Sequence, residues 1–268
     1  MKEISVDKLR VIQLEILKVV DEFCKNNGIK YWLDGGTLLG AIRHKGYIPW
    51  DDDIDIGMLR EDFEKFIKEF NQKNFKYKVE CNELAKDSVY PYAKILDTDT
   101  ILYEPDERGI RHSINIDLFV YDITLGGKYS KRQYSRRDRF AFLNHAQYDL
   151  YPTKKWYKKV PKFLLNKILN LFPKGYFASK IVKNSRIYET QNANLVGNFT
   201  AVSKILCDKD VFNSFIECEF EGNNYPIPIG YDRWLRAFYG DYMQLPPIEK
   251  RVSHHMFKAY IADDANVK

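Results

Sequence analysis

The spacing of apolar side chains at the start of the chain predicts a helix, a strand and a second helix. Over residues 7–26, apolar side chains recur every three or four positions, which is the period of one helix face. The aromatic and apolar run at 31–33 predicts a short strand, and residues 37–42 return to helical character. Between them, Gly35 and Gly36 form a turn. A glycine turn that leads into a helix can point backbone N–H groups at an anion.

A second pattern, strict alternation of polar and apolar residues, predicts half-buried strands. It is clearest at residues 53–58, Asp-Ile-Asp-Ile-Gly-Met, and it returns at residues 112–120. Two more strands are predicted at residues 75–81 and 90–96. A helix is predicted over residues 60–70, where the phenylalanines and an isoleucine fall on one side.

The next stretch is predicted to be helical, and the end of the chain returns to mixed character. Helices are predicted at residues 131–147, 163–172 and 174–190, with Pro152 and Pro161 as breaks. The C-terminal part is predicted to contain an extended, turn-rich stretch at 225–230, a helix at 231–239 that Gly240 ends, and a cation-rich loop at 246–256. We divide the chain into a catalytic core at 1–125, a basic segment at 126–200 and a C-terminal part at 201–268 that packs on the core.

Charge is distributed unevenly along the 268 residues, whose formal net charge is +5. Residues 126–186 hold 16 Lys and Arg against two acidic residues, Asp138 and Asp149, so this stretch carries +14 and the rest carries −9. Such asymmetry indicates a basic face for an anionic partner and an acidic catalytic body. Ordinary solvated helix faces are the alternative interpretation.

The remaining composition indicates a cytoplasmic globular protein. No apolar run approaches the ~18 residues of a membrane-spanning helix, and the first ten residues, MKEISVDKLR, show no hydrophobic signal core. The four cysteines form no CxxC pair and are expected to be reduced thiols in or near the core: Cys24, Cys81, Cys207 and Cys218.

Paired carboxylates are the main chemical signal. On a strand, residues i and i+2 share a face, so Asp53 and Asp55 project together. Two carboxylates side by side suit Mg²⁺, which prefers oxygen ligands and is often shared with substrate phosphates. Asp117 lies in an apolar strand with Asn115 on the same face, and it is our candidate for a third ligand; Asp122 is the second choice.

The residues around this pair receive weaker assignments. Asp51 and Asp52 follow Pro49 and are interpreted as supporting residues or as a merely exposed acidic turn. The glycine turn lies fewer than 20 residues before the pair. It could let a phosphate approach the helix start, with the Thr37 hydroxyl as a further donor.

Three blocks of the sequence resemble the LicD family of phosphocholine transferases. They are LDGGTLLGAIRHKGYIPWDDDIDIGM from Leu33, IDLFVYD around Asp117, and YPIPIGYDRWLRAFYGDYMQLPP from Tyr225. The similarity is dense over residues 30–60, 113–122 and 222–255, and the basic segment shows no recognised motif. The resemblance implies an α+β fold of the nucleotidyltransferase type, with a small mixed sheet flanked by helices. It also implies that the glycine turn, the paired aspartates and Asp117 form the active site.

The same resemblance implies a reaction. Family members are similar to enzymes that move phosphocholine from CDP-choline to a sugar hydroxyl of a teichoic acid or glycan precursor, with release of CMP. Mg²⁺, or Mn²⁺ in its place, would assist in-line phosphoryl transfer. Transfer of ribitol phosphate or glycosyl phosphate from a nucleotide donor is the alternative. Nucleotide addition to RNA is a distant one, because the basic segment carries no RNA-binding motif.

Further residues are assigned to substrate binding. The cations expected at donor phosphates are Arg43, His44, Lys94, Lys250, Arg251 and His254. The aromatic residues expected around a trimethylammonium group are Trp50, Tyr231 and Trp234, with Tyr239 as a further candidate. Two alternatives remain open for these sets, since helix-end or surface cations and a helix core stripe would show the same pattern.

The basic segment has two interpretations, an anionic acceptor chain or an anionic membrane that displays a lipid-linked acceptor. Aromatic and aliphatic residues among lysines favour the membrane surface, namely Trp156, Tyr157, Phe163, Leu164 and Leu165. We therefore expect a cytoplasmic protein in peripheral contact with the inner face of the cell membrane.

Overall fold

The computed structural model describes residues 2–73, 76–103, 112–148, 156–251 and 258–261. It confirms an α+β fold. The main sheet runs in the order β2-β3-β7-β5-β4. Its strands are β2 (Trp32–Leu33), β3 (Asp55–Leu59), β4 (Tyr77–Glu80), β5 (Ala93–Asp97) and β7 (Asn115–Thr124). β3 and β7 are parallel, whereas the other pairs on this path are antiparallel.

Short strands extend this framework. β8 (Leu195–Gly197) pairs with the end of β7 and with β9 (Leu206–Asp208). A separate antiparallel sheet joins β1 (Lys2–Ile4), β12 (Lys258–Ile261) and β6 (Thr100–Tyr103) in the order β1-β12-β6. β10 (Phe215–Phe220) and β11 (Asn223–Pro228) form a hairpin.

Seven α-helices flank these sheets in the described part of the chain. They are α1 (Val6–Asn27), α2 (Gly35–His44), α3 (Arg60–Phe70), α4 (Gly127–Gln147), α5 (Trp156–Leu169), α6 (Tyr176–Ser185) and α7 (Tyr231–Tyr239). α1 begins at the N-cap Ser5, whose side chain accepts a hydrogen bond from the Lys8 N–H. It ends at Gly28, which adopts the left-handed conformation that glycine tolerates best.

One core joins the N-terminal helix, the main sheet, the hairpin and α7. Ile54 and Ile56 are fully buried in it, as the alternation in the sequence predicts. A smaller cluster around Leu169 and Phe177 holds α4, α5 and α6 together. The domain boundaries stay a prediction, although β7 of the predicted catalytic core pairs with β8 of the basic segment.

Several element boundaries differ from the prediction. The strand with the paired aspartates begins at Asp55, so Asp53 precedes it. Pro161 lies inside α5 and does not break it. The last helix of the basic segment stops at Ser185 and continues as a 3₁₀ turn at Arg186–Tyr188. The extended stretch near Tyr225 is strand β11, whose partner β10 had no clear signal.

The expectation that the four cysteines are reduced thiols agrees with the structure. All four cysteines are free, and burial raises the pKa of Cys81 to about 11. In the described residues, no helix combines the length and the apolar character that crossing a bilayer requires.

Candidate active site

Parallel pairing of β3 and β7 places two aspartates side by side. Asp55 is the register partner of Asp117, and the Asp117 N–H donates to the Ile54 carbonyl over 2.9 Å. Asp53, two residues before Asp55, lies close enough for its charge to act on the Asp55 carboxyl. Asp53, Asp55 and Asp117 are each half-buried. The structure therefore brings together the three carboxylates that the sequence singled out.

The glycine turn lies directly against these carboxylates. A Cβ atom on Gly35, whose φ is +51°, would lie 2.9 Å from Asp55 Oδ2. A Cβ on Gly36 would lie 2.6 Å from Asp51 Oδ2. The Asp55 N–H also donates to Thr37 Oγ1 over 2.8 Å. The carboxylates of Asp51 and Asp55 thus lie against the first turn of α2. The N–H groups and the dipole at a helix start favour negative charge there.

Residues of α1 fix the acidic loop that precedes β3. The Arg10 guanidinium donates to the Asp51 carbonyl over 2.6 Å, and the Gln13 amide donates to the Asp52 carbonyl over 3.1 Å. The carboxylates of this loop converge, because one oxygen from each of Asp51, Asp52 and Asp53 lies within 4.8 Å of the others. The expectation that Asp51 and Asp52 are merely exposed is wrong, since Asp52 is buried and Asp51 is half-buried.

Asp117 is held by two donors. Lys94 Nζ lies 3.0 Å from Asp117 Oδ1, and the Asn115 amide donates to the same oxygen over 2.8 Å. Lys94 stands over the rings of Tyr90 and Tyr92, at 5.4 and 5.7 Å. Burial opposes the charge of Lys94, but Asp117 outweighs it and the pKa of Lys94 is raised. Lys94 is therefore a positioning partner of Asp117 in this structure.

The second-choice carboxylate, Asp122, has a different role. Arg60 donates to both of its oxygens, at 2.7 and 2.8 Å, and also to Glu83 at 2.7 Å. This largely buried ion pair secures the start of α3 on the sheet. Asp122 is therefore engaged in the scaffold.

Asp34 is a site residue that the sequence analysis missed. It is buried, and its carboxylate accepts hydrogen bonds from the Tyr121 hydroxyl and, over 2.9 Å, from the Trp234 indole N–H. Burial raises the pKa of Asp34 although these donors favour its charged form. Its backbone N–H donates to the Asp55 carbonyl over 3.0 Å. Asp34 therefore connects the glycine turn, the carboxylate strand and α7.

The electrostatics of the cluster suit a divalent cation. Burial raises the pKa of Asp55 well above its usual value, and the charges of Asp53 and Asp117 raise it further. Burial likewise raises the pKa of Asp51. Converging carboxylate oxygens are the ligands that Mg²⁺ prefers. A cation there would offset the repulsion that otherwise favours protonation.

Cations and aromatic rings stand beside the carboxylates. The Arg43 Nε–H points at His44 Nδ1 over 3.4 Å, and the His44 and Trp50 rings meet edge to face at 6.3 Å. Arg251 covers the Trp50 ring at 5.6 Å. Partial burial lowers the pKa values of Arg43 and His44, and neighbouring positive charge lowers both further.

Tyr239 links these cations to the carboxylates. Burial of its hydroxyl raises its pKa, and the next largest cause is the charge of Asp55. Its hydroxyl also lies close enough to Arg43 to affect the pKa of that guanidinium. Because the side chain remains 43 % exposed, a ring face is accessible from solvent. Of the predicted cage residues, Tyr239 lies near the carboxylates, and Trp50 directly precedes Asp51 in the acidic loop.

Other predicted binding residues take different positions. Trp234 is fully buried, and Tyr121, Phe212 and Phe238 pack edge-on against its ring, so its assignment to a ligand cage is wrong. Tyr231 is half-buried and packs on the core. Lys250 is exposed in the 3₁₀ turn at Ile248–Lys250. His254 lies outside the described residues.

The close approach at Gly36 yields a test of the glycine turn. We expect Gly36→Ala to lower turnover by about 10- to 100-fold without unfolding the protein, because the new methyl group displaces the Asp51 carboxylate. Steady-state kinetics and thermal unfolding would measure both effects.

A double-mutant cycle identifies the cause of this loss. If displacement of Asp51 causes the loss, Gly36→Ala should lower turnover little further in the Asp51→Ala background. Equal losses in both backgrounds would contradict this account.

A mixed sheet with carboxylates on adjacent parallel strands, and a glycine turn seated against them, defines the nucleotidyltransferase class of folds. The sequence profile described as "LicD/FKTN/FKRP, nucleotidyltransferase domain" matches residues 28–162. Together with full-length similarity to a curated member, this match shows that the chain belongs to the LicD family.

Two relatives illustrate the range of the family. The chain is 32% identical over 280 residues to the lipopolysaccharide cholinephosphotransferase LicD of Haemophilus influenzae, an alignment that covers 97% of this chain and 100% of the relative. It is also 60% identical over 35 residues to the human ribitol 5-phosphate transferase FKRP, which covers 13% of this chain and 7% of that protein.

Proposed function

We propose that this protein transfers phosphocholine from CDP-choline to a sugar hydroxyl of a cell-surface glycan or a lipid-linked teichoic acid precursor, with release of CMP. The full-length similarity to a lipopolysaccharide cholinephosphotransferase supports phosphocholine as the group transferred. The short match to a ribitol 5-phosphate transferase supports phosphoryl-group transfer but leaves a sister donor as the alternative.

The observation that carries the proposal is the pairing of Asp55 with Asp117 across parallel strands, with Asp53 beside them. These residues would hold Mg²⁺, or Mn²⁺ in its place. A bound divalent ion supplies charge neutralisation at a diphosphate and lowers the pKa of an acceptor hydroxyl. Asp51 is close enough through its contact with Gly36 to support the same cluster.

Arg43, His44 and Arg251 suit the nucleotide phosphates. Arg43 and Arg251 are cations, His44 lies beside Arg43, and Tyr239 lies near both Arg43 and the carboxylates. Positive side chains beside the diphosphate would orient it and stabilise the charge that develops on the leaving group. Lys94 fixes the orientation of the Asp117 carboxylate through its contact with Oδ1.

Trp50 and Tyr239 suit the choline group. Each aromatic face contributes about 0.5–2 kcal/mol to binding a quaternary ammonium ion. The Arg251 guanidinium already binds this way, since its Cζ lies over the Trp50 ring, 5.6 Å from the ring centroid. In this proposal choline takes an equivalent position on an aromatic face.

Asp117 is our candidate to accept the proton of the attacking hydroxyl. Both of its hydrogen-bond donors in the described residues, Lys94 and Asn115, contact Oδ1. That arrangement directs Oδ2 to the hydroxyl or to the cation. A general base must lie within hydrogen-bond reach of the proton it accepts, and the free side of Oδ2 meets that requirement.

Release of CMP tests the proposal directly. Purified protein, Mg²⁺ and a glycan acceptor are incubated with CDP-choline, and in parallel with CDP-ribitol. We expect CMP from CDP-choline, loss of the product on chelation by EDTA, and recovery with Mg²⁺ or Mn²⁺. Turnover with CDP-ribitol alone would replace the proposed donor with its sister, and nucleotide addition to RNA would remove the proposal altogether.

A further inference from the structure

The basic segment presents a row of exposed apolar side chains. Two of them, Leu164 and Ile168, are one helical turn apart on α5, and both are more than half exposed. Leu171, in the turn that follows, is 83 % exposed. We define the apolar face of α5, a name that here includes the turn after the helix, as Phe163, Leu164, Ile168, Leu171 and Phe172.

The opposite side of α5 is fixed to the protein. Leu169 is buried against Ala146 and Phe177, with Leu165 packed beside them. The Asn166 amide donates to the carbonyls at the end of α4, at 3.0 and 2.8 Å. The Gln147 amide donates back to the Leu169 carbonyl over 3.2 Å. The apolar face is therefore held outward by a packed and hydrogen-bonded inner side, so it is a fixed surface.

The sequence on both sides of this face carries charge of one sign. Residues 150–188 contain ten Lys and Arg and no Asp or Glu. Lys167 lies over the Phe163 ring at 5.2 Å, and Lys174 is exposed just after Phe172. Lysines that flank exposed leucines can lay their stems on the apolar surface and keep their ammonium groups at its edge.

We propose that the apolar face of α5 docks the protein on an anionic lipid bilayer. Leucine, isoleucine and phenylalanine side chains would enter the boundary between headgroups and acyl chains, and the lysines would contact anionic headgroups. A second copy of the chain fits poorly, because two faces of the same strong positive charge repel each other. A nucleic acid would match the charge but would leave Leu171 and Ile168 in water.

Docking itself needs neither donor nor metal. Its use, to bring the active site to a lipid-linked acceptor, rests on the proposed function. A binding experiment without substrates therefore separates the two proposals. Loss of vesicle binding would leave CMP release from CDP-choline and a soluble glycan acceptor untouched, and loss of CMP release would leave vesicle binding untouched.

Vesicle flotation of the full chain tests the docking. We expect binding to vesicles rich in phosphatidylglycerol to exceed binding to pure phosphatidylcholine vesicles by at least about tenfold, and to weaken as salt screens the headgroups. Equal binding to both vesicles, or binding to neither, would overturn the proposal.

Paired variants locate the surface. Leu164→Ser with Ile168→Ser should weaken binding to the anionic vesicles by at least about tenfold, because two apolar side chains no longer enter the bilayer. Lys167→Gln with Lys174→Gln should weaken the same binding by about tenfold or more and should remove much of its salt dependence. The matched control is Val202→Ser, since Val202 is 90 % exposed but lies outside the basic segment.

Folding and self-association are checked on the same samples. Unchanged thermal unfolding is expected for each variant, because every substituted side chain is exposed. If both double variants bind vesicles like the unmodified protein, another surface is responsible and the proposal fails. It also fails if the unmodified protein is a dimer that Leu164→Ser with Ile168→Ser converts to a monomer without any vesicle binding.

Discussion

Asp55→Asn is expected to lower turnover by about a thousandfold and, at the same time, to make the metal-free protein harder to unfold. The loss follows from the proposed metal site, because the substitution removes one of its carboxylates where β3 and β7 meet, and a metal-binding interaction of several kcal/mol corresponds to such a factor. The gain follows because burial and the charges of Asp53 and Asp117 make an ionised Asp55 costly in the folded state.

The sign of the pH dependence of stability tests this electrostatic explanation. Because the folded-state pKa of Asp55 is raised above its unfolded value, the folded protein binds the proton more tightly. Asp55 therefore favours folding at low pH, and this contribution is lost as pH rises through the folded-state pKa. Thermal unfolding without metal at several pH values should show a flatter pH dependence for Asp55→Asn than for the unmodified protein.

The control is Asp241→Asn, which changes an exposed aspartate in the turn after α7. We expect it to leave turnover and unfolding unchanged. Full activity in Asp55→Asn would remove this residue from the metal site. Identical unfolding curves for Asp55→Asn and the unmodified protein would contradict the electrostatic explanation.

Trp234→Ala should lower the unfolding midpoint by about 10 °C, because deletion of a buried tryptophan costs about 3–5 kcal/mol. Trp234→Phe keeps most of the ring and removes the N–H that donates to Asp34, so we expect a smaller loss of about 1–3 kcal/mol. Calorimetry measures both. Neither variant should raise the KM for the donor selectively.

Trp50→Phe is the matched comparison for Trp234. Trp50 is half-buried in the loop before the acidic run, where Arg251 covers its ring. We expect Trp50→Phe to raise the KM for a choline donor with little change in the unfolding midpoint. A raised KM in Trp234→Phe with unchanged stability would restore Trp234 to the choline site.

The alternation of polar and apolar residues was enough to predict the carboxylate pair, because strand geometry fixes which side chains share a face. Ile54 and Ile56 are buried as the alternation predicts, although Asp53 precedes the strand that begins at Asp55. The neighbouring position of Asp117 depended on which strands pair, and no local pattern contains that information. Asp117 was instead chosen because an aspartate in an apolar strand is costly unless it is paired or metal-bound, and the family resemblance implied the same role.

Asp34 could not be found in the same way. An aspartate before a glycine pair and a helix has the pattern of a helix cap, yet its side chain caps nothing. Its partners, Tyr121 and Trp234, lie 87 and 200 residues away in sequence. The sequence does contain a signal for Gln13. This residue interrupts an apolar stripe between Leu9 and Leu17, where a polar side chain must be buried and hydrogen-bonded.

The boundaries of β11 were obscured by proline. Pro226 and Pro228 argue against a strand, because proline removes a ladder donor. The hairpin tolerates them because β11 pairs with β10 alone within its two-stranded sheet. The turn needs residues with positive φ, which Glu221 and Gly222 provide.

The connection between Asp34 and Trp234 has a consequence for biosynthesis. While a ribosome extends the chain, the glycine turn and the carboxylate strand emerge early, but the indole that hydrogen-bonds Asp34 comes 200 residues later. Until then, a charged group destined for the interior lacks one of its partners. Completion of this carboxylate site therefore awaits α7, and contacts of such long sequence separation favour slow folding. Nascent chains that stop before α7 should stay inactive and should depend on chaperones.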